Sequence, residues 1–456
     1  HMVTGRELVL SAIQRKKVER TPWVPFVGAH GGSLIGKNAE EYFKSADCIV
    51  AAQKKAAQMY RADGIPVTFD LQIEAEVLGC PLHWSAENPP SVAEHLSEKE
   101  WRTVRRIPSL SEGRIPLVLD AARRLRADLP DVALYGLVTG PFTLAMHLAG
   151  ADLFMEMYDD EDSCLELIDY CRRVITVLID GYIDAGCDVI AIVDPMTSQI
   201  GPEQFKQFCT PAITAMFEHI RARGRLGSFF VCGHAQKNIV VMAECKPDNI
   251  SIDENIPLAY VRDECLKRSV SFGGNLRLTT VMLMGKPDAN AAHAYETLET
   301  GGATGFLLAP GCDMPYAVPA ANVVAISEVV HDPYKREAAK VLLANRPKDT
   351  VANVKLPDFA KEKVVIIDII TLDSAGCAPC QYMVEAVKGA MAGFEHKAVW
   401  REHKVKFADA VAYMMALGVS NIPTIVIDGV IKFVSVIPPK EKIAEAIAEA
   451  VAAKKK

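Results

Sequence analysis

Val364-Val-Ile-Ile-Asp-Ile-Ile-Thr-Leu-Asp-Ser-Ala-Gly-Cys-Ala-Pro-Cys380 opens a second fold within the chain. An apolar run of strand length, 364–370, passes through a short polar turn into a Cys-x-x-Cys. That order predicts a strand followed by a helix that begins at the cysteines. A thiol at a helix N-terminus meets free backbone N–H groups and the positive end of the helix dipole, and both favour the thiolate. Cys377 is therefore expected to be the nucleophile and Cys380 the thiol that resolves a mixed disulfide. Further along, the pattern predicts a strand at 397–400, a helix at 407–417, hairpin strands at 424–428 and 431–436 around Gly429, and an alanine-rich last helix from Pro439. On the N-terminal side, 344–363 turns polar and carries Pro347 and Pro357, which reads as a linker.

The βαβαββα order, with Ile422-Pro423-Thr424 before the hairpin, resembles thioredoxins over residues 364–453. The resemblance implies a cis proline at 423. Gly376 stands where thioredoxins usually have Trp, which suggests a dedicated module rather than a general thioredoxin. Cys-x-x-Cys is also half of a zinc site, but no second such motif or histidine pair lies nearby.

Before residue 340, short apolar runs alternate with long helical patterns. The runs are 23–27, 65–69, 133–138, 189–193, 228–232, 249–252, 270–273 and 305–309, with helical stretches such as 162–185 and 202–223. Successive apolar residues suit strands covered on both faces. Eight alternating units predict a (β/α)8 TIM barrel, so the fold class is α/β with a small thioredoxin-like α/β domain behind the barrel. With 456 residues, the chain is too long for one compact core, and the expected division is 1–343 barrel, 344–363 linker and 364–456 small domain. Chemistry in such barrels sits at the C-terminal strand ends. Those ends carry His30, Asp70, Thr139-Gly140, Asp194, Cys232-Gly233-His234, Asp253-Glu254, Asn275 and Gly311-Cys312.

Several of these segments resemble the uroporphyrinogen decarboxylase superfamily, and more closely its corrinoid-dependent methyltransferase branch, across residues 3–335. They are Thr139-Gly140-Pro141-Phe142-Thr143-Leu144-Ala145, Asp194-Pro195 with Ile200-Gly201-Pro202, Asn249 to Glu254, Gly273-Gly274-Asn275 and Pro310-Gly311-Cys312-Asp313-Met314-Pro315. Decarboxylases of this family hold a many-carboxylate porphyrinogen with arginines near the N-terminus, where the guanidinium fork binds carboxylates in pairs. The stretch 24–33 contains no arginine, which argues against decarboxylation. Asp70 falls near the family's catalytic aspartate and is the barrel's catalytic candidate. The resemblance to the methyltransferases implies zinc on a His-x-Cys and a later Pro-Gly-Cys, generating a thiolate that takes a methyl group from a corrinoid. Cys232 and Cys312 match the two cysteines. Phe230 stands at the histidine position and cannot bind zinc, so His234 is the expected substitute. His30, Asp194 and Asn275 are the candidates for contact with the corrinoid.

Composition narrows the partners. A net charge of -7 and the absence of a basic, aromatic-rich patch give no reason to expect nucleic acid. No run reaches the ~18 apolar residues of a membrane span. His1-Met2 reads as a remnant of expression, and the start lacks the order of a signal peptide. Scattered cysteines in a long chain suit a reducing cytoplasm. Lys454-Lys455-Lys456 reads as a frayed helix end. The expected function is methyl transfer between a corrinoid (a cobalamin), free or on a corrinoid protein, and a small thiol or related acceptor. No corrinoid-binding Asp-x-His-x-x-Gly is present in the chain. The alternatives are a thiol–disulfide oxidoreductase in which Cys377 and Cys380 act on Cys232 and Cys312, and a ligand-binding barrel whose pocket Phe230 lines. The oligomeric state is left open.

Overall fold

The structure is a computed structural model that describes residues 2–346 and 354–454. His1, residues 347–353 of the expected linker and Lys455-Lys456 of the terminal lysine run lie outside the described residues. Two compact units divide the chain, one built from residues before 347 and one chiefly from residues after it. No helix among the described residues is long and apolar enough to cross a membrane.

The first unit is a curled sheet of seven parallel strands in sequential order: β1 (Gly64–Pro66), β2 (Ala133–Thr139), β3 (Val189–Val193), β4 (Leu226–Val231), β5 (Asn249–Ile252), β6 (Ser271–Leu276) and β7 (Phe306–Pro310). The eighth expected run is reduced to a single parallel bridge between Trp23 and Leu308. Val24 N donates to Leu308 O and Leu308 N to Pro22 O, each at 2.9 Å. On the other side, Asp63 N donates to Trp23 O at 2.9 Å, so residues 22–24 join the last strand to the first. Pro22, Pro25 and Pro66 explain why this seam is short, because each lacks the N–H that a longer ladder would need. Asp63 reinforces it, accepting Trp23 N at 2.8 Å and a two-pronged bond from Arg20 at 2.7 and 2.8 Å.

Helices cover the sheet, as parallel strands buried on both faces require. Those that position the site are α1 (Pro141–Ala149), α2 (Glu161–Asp184), α3 (Pro202–Phe208) and α4 (Thr210–Ala222). The helix expected at 202–223 is broken in two at Cys209, because Pro211 removes an N–H and crowds the preceding turn. The barrel interior is filled by side chains that include Phe26, Phe69, Tyr135, Leu137, Val193, Phe230 and Leu307.

The second unit holds β8 (Val365–Thr371), α5 (Ala378–Ala390), β9 (Ala398–Lys404), α6 (Ala408–Leu417), β10 (Thr424–Ile427), β11 (Val430–Val434) and α7 (Lys440–Lys454). Sheet order is β9-β8-β10-β11, with β8/β9 parallel and the other pairs antiparallel. This is a thioredoxin-like domain, and its Ile422–Pro423 bond is cis. Asp368, fully buried on the central strand, accepts from Arg401 Nε (2.6 Å), from Tyr413 OH (3.0 Å) and from the His403 ring (2.7 Å).

Candidate functional site

The barrel brings Cys232, just past β4, and Cys312, just past β7, into a disulfide. Their Cα atoms lie 6.1 Å apart across 80 residues of sequence. Glycine backbone makes this approach possible. Gly233 follows Cys232 at φ 100°, a conformation that side chains disfavour. A Cβ on Gly311 would stand 2.6 Å from Glu254 N. Between the two cysteines in sheet order, the end of β5 supplies Asp253 and Glu254. Gly233 N donates to Asp253 Oδ2 at 3.0 Å and Leu278 N to Glu254 Oε2 at 2.9 Å. Burial raises both carboxyl groups above their ordinary range, and the charge of Asp253 pushes Glu254 further.

Beneath the disulfide lies an aromatic plug. Phe230 sits 5.1 Å from Phe26 and 5.9 Å from Phe69, centroid to centroid, in edge-on contacts. It is 1% exposed and belongs to the core, so it does not line an open mouth. Both cysteines pack against this cluster from above.

Of the expected metal set, only the two sulfurs come together. Among the described residues no three His, Cys, Asp or Glu side chains are grouped to hold a metal ion. The physical reasons are local. The sulfurs bond each other, and Phe230 fills the third position with an apolar ring. His234 Nδ1 is buried without a hydrogen-bond partner, and its electrostatic contact is with Asp253. These side chains do not fit zinc as they stand.

The remaining candidates surround the same strand ends, but with their polar atoms engaged. Asp70 Oδ2 accepts from Arg114 Nη1 at 2.5 Å and Oδ1 from Gln72 N at 2.9 Å. His30 is fully buried, with Nε2 2.6 Å from Tyr60 OH and Nδ1 3.3 Å from Tyr316 O; burial lowers its pKa to about 4. Asp194, also fully buried, accepts from Phe142 N, Thr143 N and Thr143 Oγ1 at 3.2, 2.8 and 2.6 Å, and burial raises it to about 6. Asn275 Nδ2 donates to Asp253 O and Ile256 O at 3.1 and 2.8 Å, which pins the acid-bearing loop. These partners make His30, Asp194 and Asn275 builders of the mouth more directly than contacts for a bound group.

Two residues escaped the sequence reading. Asp313, beside Cys312, has a buried Oδ1 with no hydrogen-bond partner, and burial raises it well above the carboxylate range. Arg114 joins Asp70 to Glu76, its Nε lying 2.8 Å from Glu76. Only adjacency to Cys312 marked the first. Nothing in local sequence marked the second, because its partners lie 38 and 44 residues away.

In the small domain Cys377 caps α5 and its sulfur accepts from Cys380 N at 3.4 Å. Cys377 is half-buried. Cys380 is fully buried, accepts from Leu372 N, and is raised well above the usual thiol range by burial.

A closed parallel barrel with cysteines and buried acids at its C-terminal mouth, followed by a thioredoxin-like domain, defines the class of protein. The chain belongs to the uroporphyrinogen decarboxylase (URO-D) family, whose model matches residues 4–333. A thioredoxin domain model matches 366–448. Relatives include the methylcobamide:CoM methyltransferase MtbA of Methanosarcina acetivorans, 25% identical over 334 residues, which span 71% of this chain and 97% of that protein. The methylcobamide:CoM methyltransferase MtaA of Methanosarcina barkeri is 27% identical over 332 residues, 71% of this chain and 96% of that protein. A methyltransferase from Methanosarcina mazei superposes with a TM-score of 0.68 at 23% identity, covering 73% of this chain and all of that one, which agrees with the fold.

Proposed function

We propose that the barrel transfers a methyl group between a corrinoid and a small thiol. The observation that carries this is the similarity to two methylcobamide:CoM methyltransferases along nearly their whole length. In the forward step the acceptor thiol loses its proton, its sulfur attacks the corrinoid's methyl carbon, and the carbon–cobalt electron pair stays on cobalt. The corrinoid is a substrate, free or carried by another protein.

The chain's own part is to receive that proton and to exclude water. Glu254, buried beside Asp253, is the proposed acceptor, because a carboxyl raised by burial is a stronger base than an ordinary one. Phe26, Phe69 and Phe230 close the floor below. Zinc is given no step. The small domain is proposed as a dithiol module, with half-buried Cys377 attacking and buried Cys380 resolving, working in the cytoplasm. Decarboxylation is disfavoured by the absence of arginine from 24–33.

The test is incubation of the reduced protein with methylcobalamin and coenzyme M, followed by the corrinoid absorbance change and by mass detection of the methyl thioether. Glu254→Gln is expected to lower the rate by about 100- to 10,000-fold, the range of a general base. No thioether above the protein-free control would end the proposal.

A further inference from the structure

The barrel's cysteines fall into two chemical groups. Seven of them, Cys171 and Cys209 among them, are buried thiols. Burial raises those two well above the usual range, which keeps them inert. Cys48 is half-buried and unpaired. Cys232 and Cys312 differ from all of these. Both are half-buried, both lie at the mouth, and each is bonded to the other. The small domain carries the complementary group, a reduced Cys377 and Cys380 with one reachable and one buried sulfur.

We infer that Cys232 and Cys312 form a reversible redox couple, and that its disulfide is the substrate of the Cys377/Cys380 dithiol. The Cys377 thiolate attacks one barrel sulfur. The Cys232–Cys312 bond breaks, a bond from Cys377 to that sulfur forms, and the other barrel sulfur leaves as thiolate and takes a proton. Cys380 then gives up its proton and attacks Cys377, and the second barrel sulfur departs and is protonated. Two electrons and two protons pass from the small domain to the barrel, and no other reagent is consumed.

Two observations support the couple. The glycines at 233 and 311 hold the two sulfurs within bonding reach, so neither oxidation state needs a new backbone path. The position that would hold a metal-binding histidine is the apolar Phe230, which leaves the sulfurs free to bond each other. The inference goes beyond the methyl-transfer reading and is independent of it, since it concerns four sulfurs and not a methyl group.

The experiment uses the full chain, equilibrated with graded ratios of reduced to oxidised dithiothreitol, quenched with an alkylating agent and mapped by peptide mass. Cys232 and Cys312 are expected to lose and regain label together, while the label on Cys48 stays constant. With limiting dithiothreitol, Cys377→Ser is expected to slow reduction of the barrel pair at least tenfold. Cys380→Ser, isolated without reductant, is expected to accumulate a peptide that links Cys377 to Cys232 or Cys312. Continuous labelling of Cys232 and Cys312 across the whole series would overturn the couple. An unchanged reduction rate in Cys377→Ser would overturn the role of the small domain. The redox series needs only wild-type protein, so it stands whether or not Cys380→Ser folds.

Discussion

Phe230 and Asp313 sit within a few residues of the paired cysteines, and burial acts on them in opposite ways. Phe230 gains from burial, since its ring closes on Phe26 and Phe69 and a fully buried aromatic contributes on the order of 2–3 kcal/mol. Asp313 is penalised by it: burial raises its carboxyl well above the usual range and leaves one oxygen unpartnered. Phe230→His restores the His-x-Cys spacing that the sequence resemblance led one to expect, but it places an imidazole where the plug offers no hydrogen bond. Leaving such a polar group buried costs roughly 1–3 kcal/mol, added to the lost aromatic packing. The variant is therefore expected to unfold at lower urea than wild type, and the deficit should remain when zinc is added. An unchanged midpoint would show that the plug is not packed as described.

At the scale of elements, the strand that follows α1 holds that helix in place. Pro141 lacks an N–H, so the first donors of α1 that need a partner are Phe142 N and Thr143 N, and both turn to Asp194 beyond β3. Asp194→Ala leaves both amides and the Thr143 hydroxyl without an acceptor, an expected loss of about 2–4 kcal/mol. The loss should depend on pH. Burial raises Asp194 from 3.8 to about 6, so the folded protein holds its proton more tightly than the unfolded chain. Wild-type stability from this group is fully present below pH 3.8 and declines as pH rises through 6. Urea unfolding at pH 4 and at pH 7 should then show a larger Asp194→Ala penalty at pH 4; a penalty independent of pH would refute the raised carboxyl. The helix and the strand were each legible in the sequence, as apolar runs with proline and glycine at their ends. Their joint was not, because a cap supplied from 51 residues away leaves no local pattern. Prolines overrode the apolar pattern in two places. Pro22, Pro25 and Pro66 shortened the barrel seam to a bridge where apolar content alone suggested full strands. Pro211, read as part of one long helix, instead split it.

For the whole molecule, the two folds could be read from alternation and motif order, since each depends on patterns repeated over tens of residues. The site was legible only where a strand end carried an unusual residue, as with Cys232 and Cys312. Which polar atoms remain free is a property of packing, and sequence could not tell that Asp70, His30 and Asp194 are already engaged. The disulfide is the clearest consequence of packing at this scale, because it ties strand ends 80 residues apart in one unit. A cross-link over a loop of that size restricts the unfolded chain, and typical measured gains are about 2–4 kcal/mol. Cys312→Ser is expected to lower the urea midpoint of the barrel when no reductant is present. Under dithiothreitol the wild type should fall to the level of the variant, since both then lack the bond. The comparison also separates two roles for the cysteines. Were the sulfurs important only for packing against Phe230, the variant would stay weaker than wild type in reductant as well, and the gap between the two would not depend on redox state.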